Sequence, residues 1–543
     1  MLAVLPFENL GRPEDDYFAD GLTEELTSRL ASLHGLGVIS RTSATQYKKT
    51  TKTLKQIGRE LGVGYVLEGS VRWEQLPQGK SRVRVTPQLI EASDDRHLWA
   101  DHYDADLADI FQVQGKIAEQ VSEALDVALR APERAGLAVK PTDNLEAYSY
   151  FLRGNEYMEH AGEGDRPAVE MFEKAVALDP HFALAFADLS LAHTTLFTDY
   201  LDRTDQRLQK AKDAAEAALR LQPDLPAAHL ALGRLYSVEL DDEQALQQFA
   251  AALEREPNNS FAIDAIGEIQ QHRGQWTEAR KSINRASELD PRAVYYHYIA
   301  IETAWSLRAF DEAVQHCDQA IAIDPDLPLP YAFKAEMYLA QDGNLDRAKT
   351  VVRDGLSKVG LGKLAHQLFG VSLGFEFFPL LSDLPPSSLD ALSVEAFDGD
   401  TVNYVGFKSQ LYAARHQSEL QRVYADSARR FFEPKVQAQP ADYFLRGGLG
   451  IAYALLGRKA EAIATDEKAV ELLPVTKDAL WGPRMTAFLA GVYALLGEPD
   501  AAVDRAEYLL SIPSPLSIGL LRVDPEWDLV RSHPRFQRLL ARK

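Results

Sequence analysis

Residues 226–259 read PAAHLALGRLYSVELDDEQALQQFAAALEREPNN. Leu232, Gly233 and Tyr236 recur at helical spacing in its first half, Ala245, Phe249 and Ala252 in its second, and Pro257 closes the run. Proline ends a helix because it has no N–H to donate and clashes with the preceding turn. Working outward, Pro223, Pro257, Pro291 and Pro325 follow one another every 34 residues. Pro180 precedes Pro223 by 43, one period plus a nine-residue insertion that falls near Thr198 to Asp205. Five residues before these prolines stand Ala175, Ala218, Ala252, Ala286 and Ala320; twelve before stand Ala168, Ala211, Ala245, Ala279 and Ala313. Only a methyl-sized side chain allows two antiparallel helices to cross that closely while the next pair stacks on them.

A 34-residue helix–turn–helix period with these small and large positions resembles the tetratricopeptide (TPR) repeat family. The phase resumes at Gly450, Tyr453, Ala462, Ala469 and Pro474, and more weakly at Tyr493 and Ala502. Between the two stretches, Gly360 to Thr401 carries aromatics and the Pro385–Pro386 pair without a clean phase, which reads as a degenerate repeat or hinge. The tail LLRVDPEWDLVRSHPRFQRLL, residues 520–540, has two helix starts at Asp-Pro and His-Pro and would cover the apolar face of the last repeat.

Residues 1–130 have a different rhythm, strand-like runs alternating with helical ones. The strand candidates are Leu2–Phe7, Gly37–Arg41, Tyr65–Trp73, Arg82–Glu91 and His97–Tyr103; the helix candidates are Asp16–Leu33, Leu54–Leu61 and Leu107–Leu129. That order predicts parallel strands with right-handed crossovers followed by hairpin strands. The fold class expected is mainly α, a TPR α-solenoid of about nine or ten helix pairs, with a small N-terminal α/β domain on a mixed five-stranded sheet. The segments VLPFENL, YFADGLTEELTSRL, VISRTSATQYK, IGRELGVGYVLEGSVR and HLWADHYDADLADIFQVQGKIA resemble the TolB N-terminal-like domain of bacterial signalling proteins over essentially all of residues 1–130. The domain plan is therefore 1–130 TolB-like, 131–144 linker, 145–358 TPR array, 359–402 degenerate repeat or hinge, 403–512 further repeats and 513–543 helical cap.

The net charge of −22 repels phosphate backbones and anionic lipid, and no long Lys/Arg block offsets it, so nucleic acid is not an expected partner. No apolar run is long enough to span a membrane. Cys317 is the lone cysteine, which excludes an internal disulfide framework, and its large-residue repeat position makes it a core residue. Gly370–Gly374 (GVSLG) matches the hydrolase nucleophile elbow, with His366 and Asp383 nearby in sequence. An elbow requires a strand before the serine, whereas Ser372 sits among helical repeats, so a hydrolase using Ser372 is only the minor alternative. Ser357–Leu364 lacks the first glycine and the Ser/Thr of a phosphate loop. His97 and His102 with Asp101 and Asp104 alternate faces along a strand and lack metal-ligand spacing. No catalytic residue, cofactor or metal is expected.

The TPR resemblance implies a concave face, built by the first helix of each repeat, that binds extended or helical peptides. Transferring the family's positions gives Arg234; Phe261, Asp264, Glu268, Gln271 and His272; Tyr295, Tyr298, Glu302 and Trp305; and Glu336. Aromatics offer contact area with few rotors to freeze, and carboxylates select a basic protein or peptide. The expected function is a non-catalytic scaffold or sensory module of bacterial signalling. The alternative is the regulatory region of a larger kinase, cyclase or winged-helix regulator. A free-standing chain would be cytoplasmic, and the C-terminal part of a membrane-anchored protein extracytoplasmic.

Overall fold

In the computed structural model, which describes residues 1–75, 81–106, 109–137, 139–158, 164–198, 202 and 204–542, the N-terminal elements follow as β1 (Leu2–Val4), β2 (Glu8–Asn9), α1 (Asp16–Ala31), α2 (Arg41–Thr45), α3 (Leu54–Leu61), β3 (Tyr65–Gln75), β4 (Ser81–Glu91), β5 (Arg96–Ala100), β6 (Tyr103–Asp106) and α4 (Ile110–Ala124). β3 and β4 pair antiparallel along their whole length, Tyr65 opposite Glu91 and Gln75 opposite Ser81. β1 and β2 add to β3 in parallel, and β5 and β6 add to β4 antiparallel. The sheet is mixed, as expected, but has six strands. Two expectations changed: Gly37–Arg41 contributes only a single parallel bridge, Val38 to Leu2, and His97–Tyr103 is broken into β5 and β6. Leu107, where the last helix of this region was expected to start, and the centre of the insertion near Thr198 to Asp205 lie outside the described residues.

The period of two assigns the faces. Leu67 and Val71 of β3 and Val85 and Leu89 of β4 bury against Leu22, Leu26 and Leu30 of α1 and Ile117 and Val121 of α4. Val66 turns to the other face and meets Ile57 and Leu61 of α3, a helix opened by a Thr53–Gln56 capping box and closed by Gly62 in the left-handed conformation.

The chain divides into two units, Met1–Ile269 with Ser282–Ala293, and Gln270–Lys281 with Val294–Lys543. In the first, α5 (Ala131–Leu137) is followed by the antiparallel pairs α6 (Leu145–Met158) with α7 (Asp165–Leu178), α8 (Ala183–Thr198) with α9 (Asp205–Leu221), and α10 (Pro226–Val238) with α11 (Asp242–Arg255). The sheet's core runs on into these helices: Phe111 packs edge-on to Tyr148 at 4.8 Å, and Phe151 meets Phe172 and Phe182. Arg29 of α1 donates to the carbonyls of Leu137 and Val139. The segment planned as a linker is thus partly folded onto the α/β core. α12 (Ser260–His272) and α13 (Trp276–Leu289) follow.

The repeat alanines are buried as the crossing argument requires, Ala168, Ala175, Ala211, Ala218, Ala245 and Ala252 all at 0% exposure. A Cβ added at Gly154 or at Gly233 would stand 2.5 Å from the ring of Phe172 or Phe249. Gly233→Ala is therefore expected to lower stability by about 1–2 kcal/mol, overpacking of 1–3 outweighing the helix-propensity gain. Urea unfolding checks this, and an unchanged midpoint would show that the helices can separate freely.

In the second unit, α14 (Val294–Ser306) pairs with α15 (Phe310–Ile323) and α16 (Pro328–Asp342) with α17 (Leu345–Val359). The irregular stretch forms α18 (Leu361–Val371), α19 (Phe377–Leu381) and α20 (Pro386–Asp390), and leads to α21 (Thr401–Ala414). Phe369, Phe377, Phe397 and Phe407 pack ring on ring there, which makes the stretch a packed aromatic cluster. α21 pairs with α22 (Ser418–Ala438), α23 (Tyr443–Leu455) with α24 (Lys459–Leu472), and α25 (Gly482–Leu495) with α26 (Pro499–Ser511). The tail carries α27 (Ile518–Val523) and α28 (Pro534–Leu540). Among the described residues no helix is long and apolar enough to cross a membrane.

Candidate functional site

The residues transferred from the repeat pattern fall into two sets, one in each unit. In the first unit, Arg234 of α10 places its guanidinium 5.9 Å from the ring centroid of Phe261 on α12. Phe261 is braced from behind by Phe249, edge-on at 6.2 Å. Asp264 and Glu268 follow Phe261 at one-turn intervals on the same helix, so they share its face. Asp264 is 3% exposed and its Oδ1 has no hydrogen-bond donor. Burial first, then the charge of Glu268, push its carboxyl up to about 8, against the opposing pull of Arg234. At neutral pH Asp264 is consequently protonated. Arg234, Phe261 and Glu268 keep partial exposure.

In the second unit the transferred residues meet the chain's own C-terminus. Gln271 is buried and donates to Thr303 Oγ1, while His272 faces Asp478 at 2.9 Å. Tyr295 is half exposed; Tyr298 is half-buried against Phe333, and burial raises its hydroxyl to about 12. Glu302 lies 3.9 Å from Arg484. Trp305, 1% exposed, donates its indole N–H to the Pro515 carbonyl at 2.9 Å. Arg308, just past α14, donates to the carbonyls of Leu509, Ile512 and Leu516. Ser517 Oγ donates to the Ala340 carbonyl at 2.6 Å, and α27 packs on α16. The tail therefore covers more than the last repeat: it packs on α26 through α28 and also covers Trp305 and α16.

Glu336 of α16 is fully buried and faces Glu376, Asp524 and Arg484; Asp466 and Glu526 lie in the same neighbourhood. Backbone N–H groups of Leu373 and Gly374 donate to Glu376, and that of Phe375 to Asp524. Glycine is required at 374 and 491, where a Cβ would strike the carboxylates of Asp524 and Glu526. Five neighbouring carboxyls, with Arg484 acting on Glu336 and Glu376 and Arg531 on Asp524, cannot all ionise in a dry interior. Burial holds Glu336, Asp466, Asp524 and Glu526 well above the usual carboxylate range, and Glu376 above it despite its backbone donors. Ionised, neither oxygen of Glu336 has a donor; protonated, it hydrogen-bonds Glu376.

Ser372 follows α18 at its C-terminal end, and its hydroxyl donates to the Leu368 carbonyl at 2.8 Å. His366 engages Asn403 and Asp398, and Asp383 engages Lys349. The strand–turn–helix of an elbow is not what surrounds this serine. Cys317 is fully buried, which raises its thiol pKa. Among the described residues no group of three or more His, Cys, Asp or Glu is arranged to hold a metal ion.

The tetratricopeptide-repeat family model matches residues 265–328. Over 248 residues, 45% of this chain, the sequence is 36% identical to "Putative adenylate cyclase 3" of Rhizobium meliloti (strain 1021), 41% of which is covered. The chain thus spans about two fifths of that relative's length, and 23% of anaphase-promoting complex subunit 3 of Schizosaccharomyces pombe, to which it is 26% identical over 159 residues, 29% of this chain. Among solved structures, the chain is similar to PilF of Pseudomonas aeruginosa, with a TM-score of 0.29 and 15% identity over 46% of this chain and 97% of that one. The chain contains tetratricopeptide repeats, the architecture of a protein-interaction scaffold.

Proposed function

We propose that the chain is a non-catalytic protein-interaction module of bacterial signalling, and that it holds a basic segment of a partner on the first-helix face formed by Arg234, Phe261, Asp264 and Glu268. The observation that carries this reading is the contrast between the two sets of transferred residues. Trp305 and Glu336 are buried, with the chain's own tail packed over them, whereas Arg234, Phe261 and Glu268 keep partial exposure around a braced aromatic ring. The N-terminal domain, on its TolB-like segments, is the second contact region of the same module.

A cation arriving at this face favours ionised Asp264 and releases its proton. Each proton released strengthens binding by up to about tenfold per pH unit below the free group's pKa. The partner is accordingly expected to bind roughly tenfold tighter at pH 8.5 than at pH 6.5, a gain that Asp264→Asn abolishes. Affinity capture from the native lysate with wild type and a Phe261→Ala, Glu268→Arg variant identifies the partner. Loss of a protein from the variant supports the face; retention of the same proteins by both refutes it.

The similarity to a cyclase-named relative favours a second reading, in which the module regulates a catalytic or DNA-binding domain of the same polypeptide. A reading frame that continues upstream of Met1 into such a domain supports it. A stop codon in frame just upstream of Met1 removes it.

A further inference from the structure

We propose that the outer face of the α16–α17 pair is a second binding site, which takes an acidic peptide segment of a partner protein. Tyr331, Lys334 and Tyr338 lie on one side of α16, roughly opposite Glu336 at 100° per residue, so they look away from the buried acid cluster. With Ile321 of α15 and Val351 of α17 they line a groove of about 690 Å³, the size that accommodates a few side chains of a ligand.

The chemistry of the rim points to the ligand. Arg347, an exposed side chain, stacks its guanidinium 3.9 Å from the Tyr338 ring centroid and donates through Nη1 to Gln341 Oε1 at 3.5 Å. Arg353 donates to Thr350 Oγ1 at 3.0 Å. Among the described residues, no carboxylate lies within 4.0 Å of either guanidinium, although the chain carries 80 acidic residues against 58 basic ones. Some exposed arginines of this chain do find such partners, as Arg255 does with Asp224 and Arg96 with Glu91. Lys334 is paired with Asp318 at 2.6 Å, and Asp354 is the single carboxylate on the groove lining. The lining thus carries Lys334, Arg347 and Arg353 against Asp354 over an aromatic and aliphatic floor, with Asp324 and Asp326 near Tyr331, which leaves the two arginines as the cations open to a ligand.

Spacing narrows the ligand further. Arg347 and Arg353 stand six positions apart on α17, about 9 Å along its axis and about 120° around it, yet both line the groove. An extended segment lying in the groove therefore needs a carboxylate toward each end, one for each guanidinium, with an apolar side chain between them over Ile321 and Val351. Planar carboxylates bind guanidinium forks bidentately, and that geometry selects Asp or Glu over a diffuse anion.

Fluorescence anisotropy of a fluorescein-labelled octapeptide, GEDLYEDG, against the full chain tests the site. Its amide counterpart GQNLYQNG and a labelled eight-nucleotide oligothymidylate are the controls. The acidic peptide is expected to bind, to weaken at least tenfold with Arg347→Glu, Arg353→Glu, and to weaken on raising NaCl from 50 to 500 mM. An Arg347→Gln, Arg353→Gln variant, milder in charge, is expected to lose binding in the same direction. Both arginines are exposed, so an unchanged melting temperature certifies the folded variants. Equal affinity of wild type and both variants, equal affinity for the amide peptide, or tighter binding of the oligonucleotide overturns the proposal.

Discussion

Glu336→Gln is expected to stabilise the second unit by about 1–3 kcal/mol more at pH 8 than at pH 5. Glu336 is fully buried, and its folded-state carboxyl lies well above the usual range, chiefly through burial and then through Glu376 and Asp524. An acid whose folded pKa is raised binds more protons folded than unfolded at any pH above the ordinary carboxyl value near 4.3, so stability falls as pH rises from there until the folded group itself ionises. Below that value both states are protonated and the penalty vanishes. Glutamine carries no charge in either state, and its amide can donate to Glu376 where the shared proton did. Asp466, Asp524 and Glu526 are shifted in the same direction, so wild-type stability should drop between pH 5 and 8 with a slope exceeding one proton. Urea unfolding followed by fluorescence at pH 5, 6.5 and 8 measures both slopes. A wild-type stability that rises across this range, or an equally steep glutamine variant, would contradict the protonated cluster.

None of this cluster was legible in the sequence, and the reason is physical. A 34-residue period is a local constraint: a crossing that admits only a methyl group writes alanine at Ala245 and Ala252, and a helix end writes Pro257, whatever the rest of the chain does. The strands were similarly readable from alternation, except where pairing was too short to leave a pattern, as at Val38. Carboxylates such as Glu336 read as solvent-facing by default, because burial of an acid is decided by what packs over it. Here that is Asp524 and Glu526, almost two hundred residues further on. The transferred groove positions fall on α10, α12, α14 and α16, while the burial of Trp305 and Glu336 depends on non-local contacts. Arg308 and Trp305 illustrate the same limit, since the carbonyls they bind belong to the chain's last segment.

Trp527→Ala is expected to lower the stability of the second unit by about 3–5 kcal/mol, and removal of residues 513–543 to prevent that unit from folding stably. Trp527 is 3% exposed and stacks on Phe536 at 5.3 Å with an interplanar angle of 12°. Leu516, Leu520, Leu521, Val530, Phe536 and Leu539 of the same tail are all at 5% exposure or less. Each fully buried large apolar side chain contributes about 1.5–3 kcal/mol, so their sum exceeds what a peptide ligand gains on binding. That comparison separates two meanings of a tail lying over Trp305 and Glu336. A regulatory plug must be exchangeable for a partner, whereas this one is part of the core that carries α14, α16 and α25. Hydrogen exchange decides between them: amides of Leu520, Leu521 and Val523 should exchange only with unfolding of the whole unit. Fast exchange of the tail alone, with α14 and α16 still protected, would make it a removable plug and reopen the second set of residues to a partner. With the tail fixed, substitutions at Trp305 or Glu336 are expected to act on stability, and those at Arg234, Phe261 and Glu268 on the proposed partner binding.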